Sequence, residues 1–303
     1  MKNVLVVYYT QSGQLKEIAN QIAAPLASNK DVNLVFHRIT PVREFPFPWT
    51  KKKFFDVFPE SFRQVPCSLK PIPEYVLEHK YDLVLLCYTV WYLSPSIPVN
   101  SFLKSPEAAQ LLNGVPVITI SGSRNMWFMA QEKVKSLLSA NNAKLKGNIA
   151  LVDRAANLVS VVTIVRWMFS GMKKRHLGIF PLPGVSEKDI IDSKRFGRII
   201  VRAIEEDKLD SLQPKLVRSG AVKVSSYLVR VDKTANKIFQ KWSALIASKK
   251  KSRSSWLKVF NIYLLLAIWL VSPIVYILHA ITYPFQIRKI KKQTTYFQGV
   301  YQQ

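Results

Sequence analysis

The sequence predicts an α/β chain whose first two-thirds form a doubly wound parallel sheet and whose remainder is a helical, membrane-associated appendage. Three observations lead there. Short apolar runs alternate with helical patterns as far as about residue 207, positive charge collects beyond that point, and no charged side chain occurs over the 29 residues from Val259 to Ile287. At 303 residues the chain is long enough for one full core plus an addition. The expected divisions are an α/β domain over residues 1–207, a basic amphipathic segment over 208–258, and a hydrophobic hairpin or span with a basic end over 259–303.

Residues 4–9, Val-Leu-Val-Val-Tyr-Tyr, are continuously apolar and too few for an isolated helix, as expected of a strand buried on both faces. A helix over 14–27 follows, with Leu15, Ile18, Ala19, Ile22 and Ala23 on one side. Further strands are expected over 32–39, 82–88, 115–121 and 148–152. Helices are expected over 106–112 and 128–140, and a last one over 187–206 with Ser186 as N-cap. This alternation implies a parallel sheet covered on both faces. Residues 40–75, rich in proline and phenylalanine from Phe45 to Phe58, and residues 154–182 are insertions. Within the second, the apolar stretch 158–172 reads either as core packing or as contact with a membrane or lipophilic substrate.

The formal net charge is +25, from 44 basic and 19 acidic residues. Residues 1–207 hold 27 of the basic and 17 of the acidic ones, and residues 208–303 hold 17 basic with only Asp210 and Asp232 against them. Such an excess suits a polyanion, either nucleic acid or an anionic membrane surface. The apolar partner of that charge favours the membrane, and no nucleic-acid reading module is recognisable. The two cysteines, Cys67 and Cys87, have no metal-ligand spacing, and the four histidines are scattered singly, so no metal is expected. No amino-terminal signal peptide precedes the first strand-like run, which together with the cysteine usage implies a reducing, cytoplasmic setting.

In an open doubly wound sheet ligands bind beyond the carboxyl ends of the strands, where the strand order reverses. The loop Thr10-Gln11-Ser12-Gly13-Gln14-Leu15 falls there. It offers hydroxyls, a glycine for close backbone approach, and the free N–H groups of a helix start, which suits a phosphate; the same turn also serves as an ordinary N-cap. After the third strand come Thr89, Val90, Trp91 and Tyr92 on a proline-stiffened loop, suited either to a planar aromatic ligand or to hydrophobic cover of the sheet edge. After the fourth come Ser121, Gly122, Ser123, Arg124 and Asn125, whose backbone amides can bind a ring edge. Arg124 and Asn125 are candidates for orienting substrate, Arg124 being equally suited to a solvated helix start, and Tyr92 is a candidate base.

These three loops resemble the flavodoxin and quinone-reductase superfamily, over about residues 3–207. The resemblance implies a five-stranded sheet of order 2-1-3-4-5 and FMN as cofactor, bound by residues 10–15, 89–92 and 121–125. More narrowly, residues 1–15, Arg124-Asn125-Met126-Trp127 and the basic apolar tail are similar to the dialkylresorcinol condensing enzyme family. That likeness implies a flavin-dependent oxidoreductase aromatising a dialkylcyclohexanedione to a dialkylresorcinol in flexirubin-type aryl polyene pigment synthesis, beside a ketosynthase and an acyl carrier protein. Two other readings stand beside it: a quinone reductase or flavodoxin-type electron carrier, and a non-catalytic scaffold for a ketosynthase at the membrane.

The run 259–287 exceeds the roughly 20 residues that a spanning helix needs. Basic clusters flank both ends, Lys249, Lys250, Lys251, Arg253 and Lys258 before it and Arg288, Lys289, Lys291 and Lys292 after it, which favours both ends on the cytoplasmic face of the inner membrane. Pro273 at its midpoint favours a broken, monotopic hairpin over a straight span, and an oligomerisation helix is the alternative to membrane insertion. Ahead of it, Val224, Leu228, Val231, Ala235, Ile238, Trp242 and Leu245 recur at helical spacing among lysines and arginines. That pattern suits a helix lying in an anionic interface or one packed on the domain.

Overall fold

A computed structural model describes residues 1–249 and 251–301. Five parallel strands, β1 (Lys2–Tyr8), β2 (Val32–Arg38), β3 (Leu83–Trp91), β4 (Pro116–Ser123) and β5 (Lys144–Val152), stand in the order β2-β1-β3-β4-β5. The order is the expected one, and the reversal of direction lies between β1 and β3. The last strand begins at Lys144, four residues before the expected start.

The central strands are continuously apolar because both faces are covered. On one face lie α1 (Gln14–Ala27) and, from the domain's end, α8 (Glu187–Asp192) and α9 (Lys194–Glu205). On the other lie α4 (Ile97–Leu103), α5 (Pro106–Leu112) and α6 (Phe128–Ala140). Gly197 lets α9 lie directly against α1, since a Cβ there would come within 2.0 Å of the Ile22 carbonyl oxygen. The single helix expected over 187–206 is two: at Ser193 the buried hydroxyl donates to the Ile190 carbonyl at 2.6 Å, a local bond that competes with the helical ladder.

The first insertion carries α2 (Lys51–Asp56) and α3 (Phe58–Phe62), and the second carries α7 (Asn157–Ser170). Both rise over the carboxyl edge of the sheet, where the tail meets them. After α10 (Leu212–Arg218) comes α11 (Ser226–Ser248), whose buried stripe is Val229, Asp232, Phe239, Ser243 and Ile246. The apolar residues expected to lie in a membrane interface flank that stripe and are only partly exposed, so α11 packs on the domain instead. Asp232, one of the tail's two acidic residues, accepts from the backbone N–H groups of Phe128 (2.9 Å) and Met129 (3.3 Å). It thereby caps α6, a helix whose own N-cap, Trp127, has no acceptor side chain.

The apolar helix α12 (Arg253–Thr282) is continuous, which corrects the expected break at Pro273. A π-helical stretch, Ala267–Val271, stands just before Pro273 and accommodates the ring where it would clash with a carbonyl of the preceding turn. The helix is 30 residues long, or about 45 Å, and runs back along α11. Tyr227 on α11 bonds Ser272 at 2.7 Å, and Ser226 meets His279 at 3.1 Å. Its start is held by Arg253, which reaches Asp56 and Glu60 with four hydrogen bonds of 2.6 to 3.0 Å, and by Phe260, stacked on Phe58 at 3.9 Å. After its end, α13 (Ile287–Gln298) returns to the domain, where Phe297 packs on Phe128 and Gln213 donates to the Gln298 carbonyl at 2.6 Å. Both ends are thus fastened to one domain.

Burial raises the Asp232 carboxyl to about 7 against the opposing pull of its two N–H donors. A carboxyl raised in this way favours folding fully below about 3.8 and loses that contribution as the pH climbs through about 7. Denaturant titration in detergent is therefore expected to show the wild type losing stability across that interval relative to Asp232→Asn, which keeps the capping oxygen but does not titrate. Asp232→Ala, which removes the cap, is expected to cost about 1–2 kcal/mol at acid pH, where the carboxyl is neutral in both states, and less as the pH climbs through about 7.

Candidate functional site

A chamber of about 530 Å³ sits at the carboxyl edge of the sheet, at the reversal point beside β1. Its floor is made by Gln11, Ser12, Gln14 and Leu15, by Thr89 to Tyr92, and by Gly122, Ser123 and Arg124. The three loops singled out in the sequence therefore converge. Thr10, Gly13, Ser121 and Asn125 stand behind this surface: Thr10 Oγ1 accepts from the Gly13 N–H at 3.1 Å, and Ser121 is fully buried.

The first loop opens directly into α1. Gly13 has φ +90° and a clear space around it, and the helix start has no side-chain cap, which leaves its N–H groups for an anion. The glutamines of the loop are engaged elsewhere. Gln11 donates to the Pro46 carbonyl at 2.7 Å and accepts from Trp49 Nε1 at 3.1 Å, while Gln14 bonds both the N–H and the carbonyl of Val185 at 3.0 Å. Their side chains hold the two insertions over the chamber; a ligand would meet their backbone.

Two hydroxyls are informative. Thr89 Oγ1 and Ser123 Oγ are buried at the ends of β3 and β4, beside the chamber, and neither has a hydrogen-bond partner among the described residues. Buried polar atoms are rarely left so, and rotation about χ1 would turn either one toward a polar ligand in the chamber. Trp91 forms the aromatic wall, braced edge-on by Phe45 (5.1 Å), Trp49 (5.5 Å) and Tyr9 (6.0 Å).

Tyr92 is not placed as a free base. It is half-buried, its hydroxyl donates to the Phe54 carbonyl at 2.7 Å, and desolvation holds its pKa well above the usual tyrosine value. Arg124 lies in the chamber wall. Its guanidinium donates to the carbonyl and the side-chain oxygen of Asn157 at 3.2 and 2.9 Å, and it makes no ion pair among the described residues. Burial lowers its pKa to about 10, with Asp153 acting in the opposite direction. Asn125 donates to the same Asn157 oxygen at 3.0 Å and so positions Arg124 through it.

The upper walls lie outside the three loops. They come from Phe47 and Phe54 of the first insertion, from Val161 and Trp167 on α7, and from Leu264 and Ile268 on α12. These side chains are far apart in sequence, and the only local sign of them was the aromatic density of residues 45–58 and the apolar run 158–172. The lining is predominantly apolar, with polar atoms concentrated on the floor. Among the described residues no cluster of His, Cys, Asp or Glu suits a metal.

The strand order, the helices on both faces and a chamber at the β1/β3 reversal define a flavodoxin-like α/β domain. No model of a known protein family matches the chain, and no curated protein matches it. Among solved structures, a flavoprotein of Lactobacillus acidophilus in complex with FMN is similar at TM-score 0.39 and 19% identity, over 50% of this chain and 93% of that one. A flavodoxin from the Archaea gives 0.35 at 13% identity over 70% and 99%, and one from Bacillus cereus gives 0.35 at 14% over 66% and 98%. The fold assignment rests on the strand order and not on likenesses of this strength, which carry nothing about the ligand either.

Because the two hydroxyls are buried without partners, Thr89→Val and Ser123→Ala are expected to leave the ligand-free protein unchanged or to stabilise it by up to about 1 kcal/mol. Thermal unfolding of the ligand-free protein measures this; a loss of 2 kcal/mol or more would mean that the hydroxyls serve the fold.

Proposed function

We propose that the chamber binds FMN and that the protein is a membrane-attached oxidoreductase acting on a lipophilic substrate. The observation that carries this reading is the pairing of an uncapped helix start with two unpartnered hydroxyls on one floor, under an apolar ceiling. An anion suits the first, a heterocycle with donors and acceptors suits the second, and a long-chain molecule suits the third. The floor suits FMN: the residue 10–15 loop would hold its phosphate, Trp91 would flank its ring, and Thr89 and Ser123 would meet its polar edge. Attachment to an anionic membrane surface, on the cytoplasmic face, is supported by the net charge of +25 and by the exposed apolar α12.

The particular reaction we propose is the one singled out by the sequence resemblance, conversion of a dialkylcyclohexanedione to a dialkylresorcinol beside a ketosynthase and acyl carrier protein. Aromatisation removes two hydrogens, one as a proton from carbon beside a carbonyl and one as a hydride, which oxidised flavin accepts with its electron pair. That proton is already acidic, so a weak base suffices. As it leaves, negative charge develops on the carbonyl oxygen. Arg124, a half-buried cation held by Asn157 and in no ion pair among the described residues, would stabilise that charge. The apolar ceiling excludes water and holds the alkyl chains.

Flavin-loaded protein mixed anaerobically with a dialkylcyclohexanedione is expected to lose its visible flavin absorption, with a dialkylresorcinol recovered. Rapid bleaching by reduced nicotinamide instead, with the dione inert, would assign a quinone reductase. Arg124→Met is expected to slow bleaching by the dione by about a hundredfold while flavin remains bound.

A further inference from the structure

The apolar helix has two jobs on two faces. Asn261, Leu264, Leu265 and Ile268, spaced as one helical face, line the chamber, whereas Val259, Ile262, Leu266 and Leu270 point outward and are exposed. Leu265 belongs to both sets: it lines the chamber and is 48% exposed. Across the chamber Val165 on α7 does the same at 41%. The mouth between them is therefore apolar on both rims.

The second insertion continues this surface. Beyond α7, Met172 (48%), Leu177 (72%) and Ile179 (78%) are exposed, and Lys173, Lys174 and Arg175 stand among them. Single exposed apolar residues are ordinary, but a run of them interleaved with cations, beside an exposed apolar helix, is the composition of a surface that enters a lipid interface. The exposed Lys51, Lys52 and Lys53 of α2, of which Lys51 lines the chamber, and Lys249, Lys251 and Lys258, on either side of the Arg253 that bonds Asp56 of α2, add positive charge at this end of the domain. Because α12 lies along α11, and α11 is fixed to α6 by Asp232, the helix cannot stand upright in a bilayer without carrying the domain with it.

We propose that the chamber opens between Val165 and Leu265 into the acyl region of an anionic leaflet, with residues 172–182 inserted beside α12, so that substrate enters from lipid rather than from water. This deepens the proposed function and rests on the membrane attachment stated there. The ligand class that such a mouth admits is one carried in the leaflet, with alkyl chains that never leave it.

The test uses full-length protein in which Cys67→Ser removes the one partly exposed thiol, bound to vesicles of phosphatidylglycerol and phosphatidylcholine. Bimane is attached in turn through Leu265→Cys, Ile179→Cys, Ile277→Cys and, at the opposite side of the domain, Tyr75→Cys, and quenching by phospholipids with nitroxides on their acyl chains is measured. The expected result is severalfold quenching at Leu265, Ile179 and Ile277 and none at Tyr75. Quenching at Ile277 with an unquenched label at Leu265 or Ile179 would overturn the proposal while leaving attachment intact, the mouth then being covered by protein such as a second copy. An unquenched Ile277 label would remove the attachment itself, and the proposal with it.

Discussion

The arrangement depends on one constraint: an apolar helix of 30 residues is fastened at both ends to the same α/β domain. Arg253 and Phe260 hold the start against the first insertion, and Phe297 and Gln298 return the chain to the sheet. A helix of that length and hydropathy would span a bilayer if it were free. Held parallel to α11, it is instead a ceiling for the chamber on one face and an apolar exterior on the other. Exposing Leu266, Leu270 and Ile277 to water costs free energy, which the proposed attachment to a lipid leaflet would return.

The same contacts support the loop after β3. Tyr92 and Leu93 occupy the two central positions of a tight hairpin turn with φ of +46° and +59°, a conformation that favours Asn and Gly and costs other residues of order 1 kcal/mol or more each. Leu93 is buried with Phe58, Phe239 and Phe260, and Tyr92 is tied to the Phe54 carbonyl. Two of those phenylalanines, Phe239 and Phe260, belong to the tail. The tail therefore helps hold the strained turn that aims Trp91 at the chamber, and removing it would disturb the floor as well as the ceiling. Trp91 and Tyr92, adjacent in sequence, divide the work: one faces the chamber and the other anchors the turn.

The sheet was legible from sequence because its signals are local. Residues 4–9 and 82–88 are continuous apolar runs, and the helix over 14–27 shows its buried face in the spacing of Leu15, Ile18 and Ile22. The three loops of the floor were legible for the same reason, since each directly follows a strand. What the sequence left hidden depends on pairing across the chain. Gln11 and Gln14 read as ligand residues until Trp49 and Val185 are seen to take their side chains. Asp232 reads as an isolated acid until it is found at the start of α6. Pro273 suggests a break because the π-helical stretch that absorbs it has no sequence signature, and α11 suggests a membrane helix because a basic amphipathic pattern is the same whether a domain or a lipid surface covers the apolar side.

The central claim is that the uncapped turn and the two unpartnered hydroxyls hold FMN, and the most direct measurement is the absorbance spectrum of detergent-purified full-length protein with released cofactor identified and counted by chromatography. The account predicts FMN at one per chain. Protein that carries no flavin and takes up none on reconstitution would contradict it, and would leave a flavodoxin-like fold whose chamber serves some other ligand.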